Sequence, residues 1–175
     1  MTSKIKVNIL ADGGDNSIIT SDGVGNVTLG TAFPSVGKIG QVLSTNKLDT
    51  FSTTSTSFID ITNLSVNITP SSTSSKIYVI AFVSAGTGNT SADNKLRVAR
   101  DSTNIPPSAA TVLTRITSSD LNVTNTISFL DSPSTTSQIT YKVQAKAETG
   151  TFYVNRNGAG NNEGYSSITV MEVLA

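Results

Sequence analysis

Gln138-Ile139-Thr140-Tyr141-Lys142-Val143-Gln144-Ala145-Lys146-Ala147 alternates polar and apolar residues without a break. A strand turns successive side chains to opposite sides, so Ile139, Tyr141, Val143, Ala145 and Ala147 share one face and the polar residues take the other. One dry face and one wet face mark an antiparallel strand packed on a single side. Outward from this stretch the same pattern returns: Leu64, Val66 and Ile68 alternate with Ser65, Asn67 and Thr69, and Val123, Ile127 and Phe129 alternate with Thr124, Thr126 and Ser128. Segments rich in Gly, Pro, Ser and Asn separate the strands, among them 70–75, 86–94, 101–107, 132–137 and 155–164. No window of a dozen residues carries a helical stripe with caps. The pattern predicts an all-β, antiparallel sandwich with little or no helix.

Two segments do not alternate. Ile77 to Val83 is continuously apolar, and Ile168 to Leu174 is apolar on both parities apart from Thr169 and Glu172. Strands of this kind are covered on both faces. In a two-sheet sandwich one face meets the core, so the other needs cover from elsewhere, and a neighbouring subunit supplies it most economically. That reading puts Tyr78, Phe82 and Val170 at a subunit interface. Phe152 and Tyr153 point to opposite faces of one strand, so at most one is internal, and Tyr153 is assigned to the same interface. The alternative is a curved sheet covered by its own loops.

The first residues read differently. Short apolar stretches at 5–10, 18–19 and 27–29 are split by Asp12-Gly13-Gly14-Asp15-Asn16 and Ser21-Asp22-Gly23-Val24-Gly25-Asn26, where Gly and Asn supply the positive φ of tight turns. So short a stretch buries too little surface to offset its ordering entropy. We therefore expect an extended β-hairpin arm over 1–37 that docks through Ile5, Val7, Ile9, Ile18, Val27 and Leu29, ahead of a sandwich over 38–175. The segment from Ala32 to Gly37, containing Pro34, is the expected joint.

Composition narrows the chemistry. The 175 residues include twelve basic and twelve acidic side chains, so no net field draws the chain to nucleic acid or an anionic membrane. There is no stretch of some eighteen apolar residues and no N-terminal secretory pattern, which points to release into the cytosol where the chain is made. Cysteine and histidine are absent, which removes disulfides, thiol nucleophiles, imidazole bases and the Ser-His-Asp triad. A glycosidase needs only two carboxylates, and Asp49, Asp60, Asp120, Asp131, Glu148, Glu163 and Glu172 are available, but most of the acids sit in predicted turns, where they cap backbone amides. We expect no enzyme, no cofactor and no metal. Asp12, Asp15 and Asn16, and separately Asp93 and Asn94, offer oxygens to calcium, yet neither group matches an EF-hand loop, and Asx-turns explain both.

The arm Lys4-Ile5-Lys6-Val7-Asn8-Ile9-Leu10-Ala11-Asp12, followed by Ile18-Ile19-Thr20-Ser21-Asp22-Gly23-Val24-Gly25-Asn26-Val27-Thr28-Leu29, resembles the N-terminal leader of phage virion proteins, particularly those of marine phages. Gly40 to Ser44, Phe58 to Ile61, Leu64 to Pro70 and the closing Ser167 to Val173 are similar to a phage tail or appendage domain, and more distantly to trimeric jelly rolls of the tumour-necrosis-factor type. The resemblance implies a jelly-roll-like homotrimer that is assembled in the host cytoplasm and located in the virion. Its arm would grip other virion proteins while the sandwich projects, in a tail fibre or tail-tip appendage, toward a host-surface glycan or receptor. A capsid decoration protein and a carbohydrate-binding module are the alternatives.

Overall fold

The computed structural model describes residues 9–29, 37–88, 92–105, 112–160 and 164–175; for residues 29, 92, 112 and 113 only the backbone is described. Every regular element among them is a strand, and the chain divides into two compact units, Met1–Val36 and Gly37–Ala175.

The first unit is a three-stranded antiparallel sheet in which β1 (Ile9–Ala11) pairs with β2 (Ser17–Ser21) and β2 with β3 (Val27–Leu29). Its two turns share one device. Asp12 Oδ1 accepts the backbone N–H of Gly14 at 2.8 Å and of Asn16 at 3.0 Å, and Asp22 Oδ1 accepts those of Val24 at 2.9 Å and Asn26 at 3.1 Å. Each carboxylate thereby replaces the partners that a tight turn leaves unpaired. The Asp12 carboxylate, weighed above as a calcium ligand, is spent inside its own turn and is held below the ordinary carboxylate range by the Asn16 and Gly14 hydrogen bonds. Ile9 and Val27 are exposed and Ile18 is half-buried on this sheet. Ile5 and Val7 lie outside the described residues, as does the Leu29 side chain.

The second unit is an antiparallel sandwich. One sheet runs β4 (Ile39–Lys47), β14 (Ser166–Val173), β7 (Lys76–Thr87), β13 (Phe152–Val154), β5 (Phe51–Thr53), with β11 (Val123–Asp131) also paired to β7. The other runs β10 (Val112–Ile116), β8 (Ala92–Arg100), β12 (Ile139–Lys146), β6 (Ile59–Ile68), with β9 (Thr103–Ile105) paired to β8. Every pairing is antiparallel, so the all-β sandwich expected from the alternation, jelly-roll-like as the resemblance implied, is the one observed. The core takes Ile139, Tyr141, Val143 and Ala145 from β12, Leu64, Val66 and Ile68 from β6, and Ile77, Val79, Ala81 and Val83 from β7.

Polar ties cross this core. Tyr141 on β12 donates its hydroxyl to Asp131 Oδ2 on β11 at 2.6 Å, and Arg100 Nη1 on β8 meets the same oxygen at 2.5 Å. Burial, then that carboxylate, push the Tyr141 phenol far above its ordinary pKa. Thr114 on β10 donates to Asn125 on β11 at 2.9 Å. Asn155, at φ +57, donates its amide to the backbone carbonyls of Lys47 at 2.9 Å and Asp49 at 3.0 Å and accepts the Ser166 hydroxyl at 2.7 Å. Buried polar atoms this well satisfied fix the register of the strands that carry them.

Candidate functional site

The two sheets turn very different faces outward. On the β12 sheet the outward side chains form a charged lattice: Lys142 pairs with Asp60 at 2.8 Å, Lys95 and Lys146 both reach Glu148, at 2.7 and 2.8 Å, and Arg115 faces Asp93 at 3.6 Å. Arg97 Nε donates to Gln144 at 2.7 Å and lays its guanidinium over the Phe58 ring, 3.9 Å from the centroid. Asp60 and Asp93, weighed above as a catalytic carboxylate and an ion ligand, are thus engaged by cations of neighbouring strands. Beside them an open cleft of about 580 Å³ runs along the β6 edge, lined by Asp60, Asn63, Ser65, Asp101, Thr140 and Lys142 among others. The β6 bulge sets its floor, with Asn63 at φ +61 where β12 slips register between Lys142 and Gln144.

The outward face of the six-stranded sheet carries no such lattice. The pairing of β4, β14, β7 and β11 aligns Val42, Met171, Tyr78 and Leu130 in one row across the strands. The next row is Ser44, Thr169, Ile80 and Ser128, and the third is Asn46, Ser167, Phe82 and Thr126. None of these twelve side chains is charged. Val42, Leu130 and Phe82 are 54%, 51% and 44% exposed, and Tyr78, Ile80 and Met171 are half-buried. Next to Phe82 a notch of about 210 Å³ opens between Ser84, Thr124, Gly164 and Tyr165.

Three of the four residues assigned to a subunit interface lie on this face, with Tyr153 at the far end of β7 from Tyr78. Tyr78, Phe82 and Tyr153 all point out of this sheet, and Tyr153 is stacked by the Arg156 guanidinium at 4.5 Å while Phe152 is buried behind it. Val170 does not join them. It shares its parity with Ile168, faces the core and is fully buried, so it has no surface to offer a neighbour. The residue of β14 that does face outward in the apolar row is Met171. Nor are the continuous runs covered on both faces within this chain: β7 and β14 each bury one parity and leave the other half-open. Val42 and Leu130 were not singled out by sequence, because only cross-strand register places them beside Tyr78.

Glu172 is the buried carboxylate of this sheet. On the inward parity of β14 and 1% exposed, it accepts the Ser71 N–H at 2.7 Å and the Ser71 hydroxyl at 2.6 Å on Oε1, and Gln41 Nε2 at 2.7 Å on Oε2. Burial pushes the carboxyl up, but the Ser71 and Gln41 hydrogen bonds outweigh it and hold the group at about 2. It closes the β14 end by joining β4 to the β6–β7 turn, a structural task and not an acid–base one.

No protein-family model matches the chain, and no curated protein matches it. Among solved structures it is similar to a structure of the infectious bursal disease virus Gt strain, at 14% identity and a TM-score of 0.42 over 93% of this chain and 44% of that one. It is similar to the VP2 subviral particle of that virus, at 13% identity and 0.42 over 93% and 43%, and to T=1 particles derived from infectious bursal virus, at 14% and 0.43 over 99% and 44%. The chain spans less than half the length of these proteins. Likeness at this level carries no argument, and the functional reading rests on the chain's own residues.

Proposed function

We propose that this protein is a non-enzymatic structural component of a bacteriophage particle, a tail fibre or tail-tip appendage protein that forms a homotrimer. The observation that carries this reading is the first unit: a three-stranded sheet in which no described residue is buried and Ile9 and Val27 stand exposed. Apolar side chains on so small a sheet are stable only against a partner. The leader resembles those with which phage virion proteins anchor to the particle, and Ile5, Val7, Ile9, Ile18, Val27 and Leu29 are its proposed docking residues, with other virion proteins as the partners. The sandwich then projects, and its charged sheet with the β6 cleft is the surface presented to a host glycan or receptor.

Labelling with gold-conjugated antibody against the sandwich tests the reading directly. Gold at the tail of intact particles is the expected result. Gold over the whole shell would move the protein to capsid decoration, the second reading, which the lack of fibrous repeats in these 175 residues favours. Particles without label would overturn both.

A further inference from the structure

We propose that the outer face of the six-stranded sheet is where copies of this chain pack against one another, with Tyr78, Phe82, Leu130, Val42, Met171 and Tyr165 at its centre. This deepens the homotrimer reading by assigning its contact surface, and it rests on that reading for stoichiometry alone.

Charge is the first argument. Three consecutive cross-strand rows on this face hold no ionised side chain, Lys76 standing in the row beyond Tyr78, whereas the opposite sheet is studded with ion pairs. A nucleic acid, an anionic lipid surface or a highly charged protein would bury its own charges here without partners. A neutral surface of apolar and hydroxyl groups complements itself, and depletion of charge is what separates the centre of a protein interface from the remaining surface.

Chemistry and size are the second and third. The row through Tyr78 is apolar across all four strands, and the notch beside Phe82 is flanked by a second exposed aromatic, Tyr165. Aromatic anchors of this kind dominate binding energy. Four strands about 4.8 Å apart, taken over the three neutral rows at about 3.3 Å per residue, give a footprint of roughly 400 Å² before side-chain relief is counted. The largest patch on a single chain is commonly of this size and often functional, and side-chain relief and the rim around it add to it against the roughly 800 Å² that one partner contributes to a stable contact.

The chain has no cysteine, so a single introduced thiol reports contacts between copies and nothing else. Full-length Leu130→Cys and Phe82→Cys, treated with a short bismaleimide, are expected to give covalently linked chains on a denaturing gel, and Ser65→Cys on the opposite sheet only single chains. Sedimentation velocity of the wild-type chain is expected to show a trimer, and Phe82→Lys/Leu130→Lys a monomer with the far-ultraviolet spectrum unchanged. A wild-type chain monomeric at tens of micromolar would overturn the proposal, as would linkage from Ser65→Cys in place of the other two. The thiol variants decide the matter even where the lysine pair fails to fold. A trimer linked through this face in a protein absent from particles would remove the virion reading and leave this one standing.

Discussion

Replacing Glu172 by Gln tests how the sandwich is held at the β14 end. In the folded protein the carboxyl sits at about 2, against an ordinary value of 4.5. At roughly 1.4 kcal/mol per pKa unit that difference amounts to about 3 kcal/mol of stability. The sign follows from the direction: the folded value is depressed, so the contribution is complete above pH 4.5 and is lost as pH falls through about 2. An amide keeps the shape but turns a donor toward groups that are themselves donors, the Ser71 N–H and hydroxyl and the Gln41 amide. At about 2–4 °C per kcal/mol for a chain of this size, Glu172→Gln melts about 6–12 °C below the wild type at pH 7. Circular dichroism melts at one protomer concentration check this, and the gap is expected to close progressively as the buffer is taken from pH 5 to pH 2. A gap under about 2 °C at neutral pH, or one that survives acidification, would refute the reasoning.

Other outcomes follow from particular contacts. Asp131→Asn strips the charge shared by Arg100 and Tyr141 and leaves a partly buried guanidinium without its partner, so we expect a loss of about 3 kcal/mol in denaturant unfolding; a loss below about 1 kcal/mol would show the tie to be idle. Gly86→Ala cannot fold as built, because its methyl would lie 2.2 Å from the Arg156 carbonyl oxygen and 2.9 Å from the Asn157 Cα, both backbone atoms; little soluble protein is expected, and a wild-type melt would contradict this close approach of the chain after β13 to β7. Val170→Asp and Phe82→Asp separate core from surface: the first places an unpaired charge in the core and is expected to abolish folding, while the second keeps the fold and disrupts only association.

Strands written with period two were legible in the sequence because one buried face imposes the alternation. β12 buries every residue expected and leaves the alternate ones half-buried, and Phe152 and Tyr153 separate to opposite faces as their adjacency requires. The run through Val170 was not legible, since a stretch apolar on both parities does not say which parity is inward. Its two polar residues lie on opposite faces, Thr169 outward and Glu172 inward, and Glu172 tolerates burial only because Ser71 and Gln41, a hundred or more positions away, satisfy its oxygens. Asp131 figured in the sequence only as one of several available carboxylates, and it is the acceptor of an inter-sheet ion pair, a role fixed by Arg100 and Tyr141 from other strands. The same holds for the neutral outer face. Its row of Val42, Met171, Tyr78 and Leu130 joins four strands, and only register assembles it.

Quantitative mass spectrometry of purified virions decides whether this chain is built into a phage particle, as proposed above. Counted against the major shell protein, the chain is expected in the particle at a copy number far below that of the shell, in threes, as an appendage would be. Virions that lack it altogether would rule out a place in the particle.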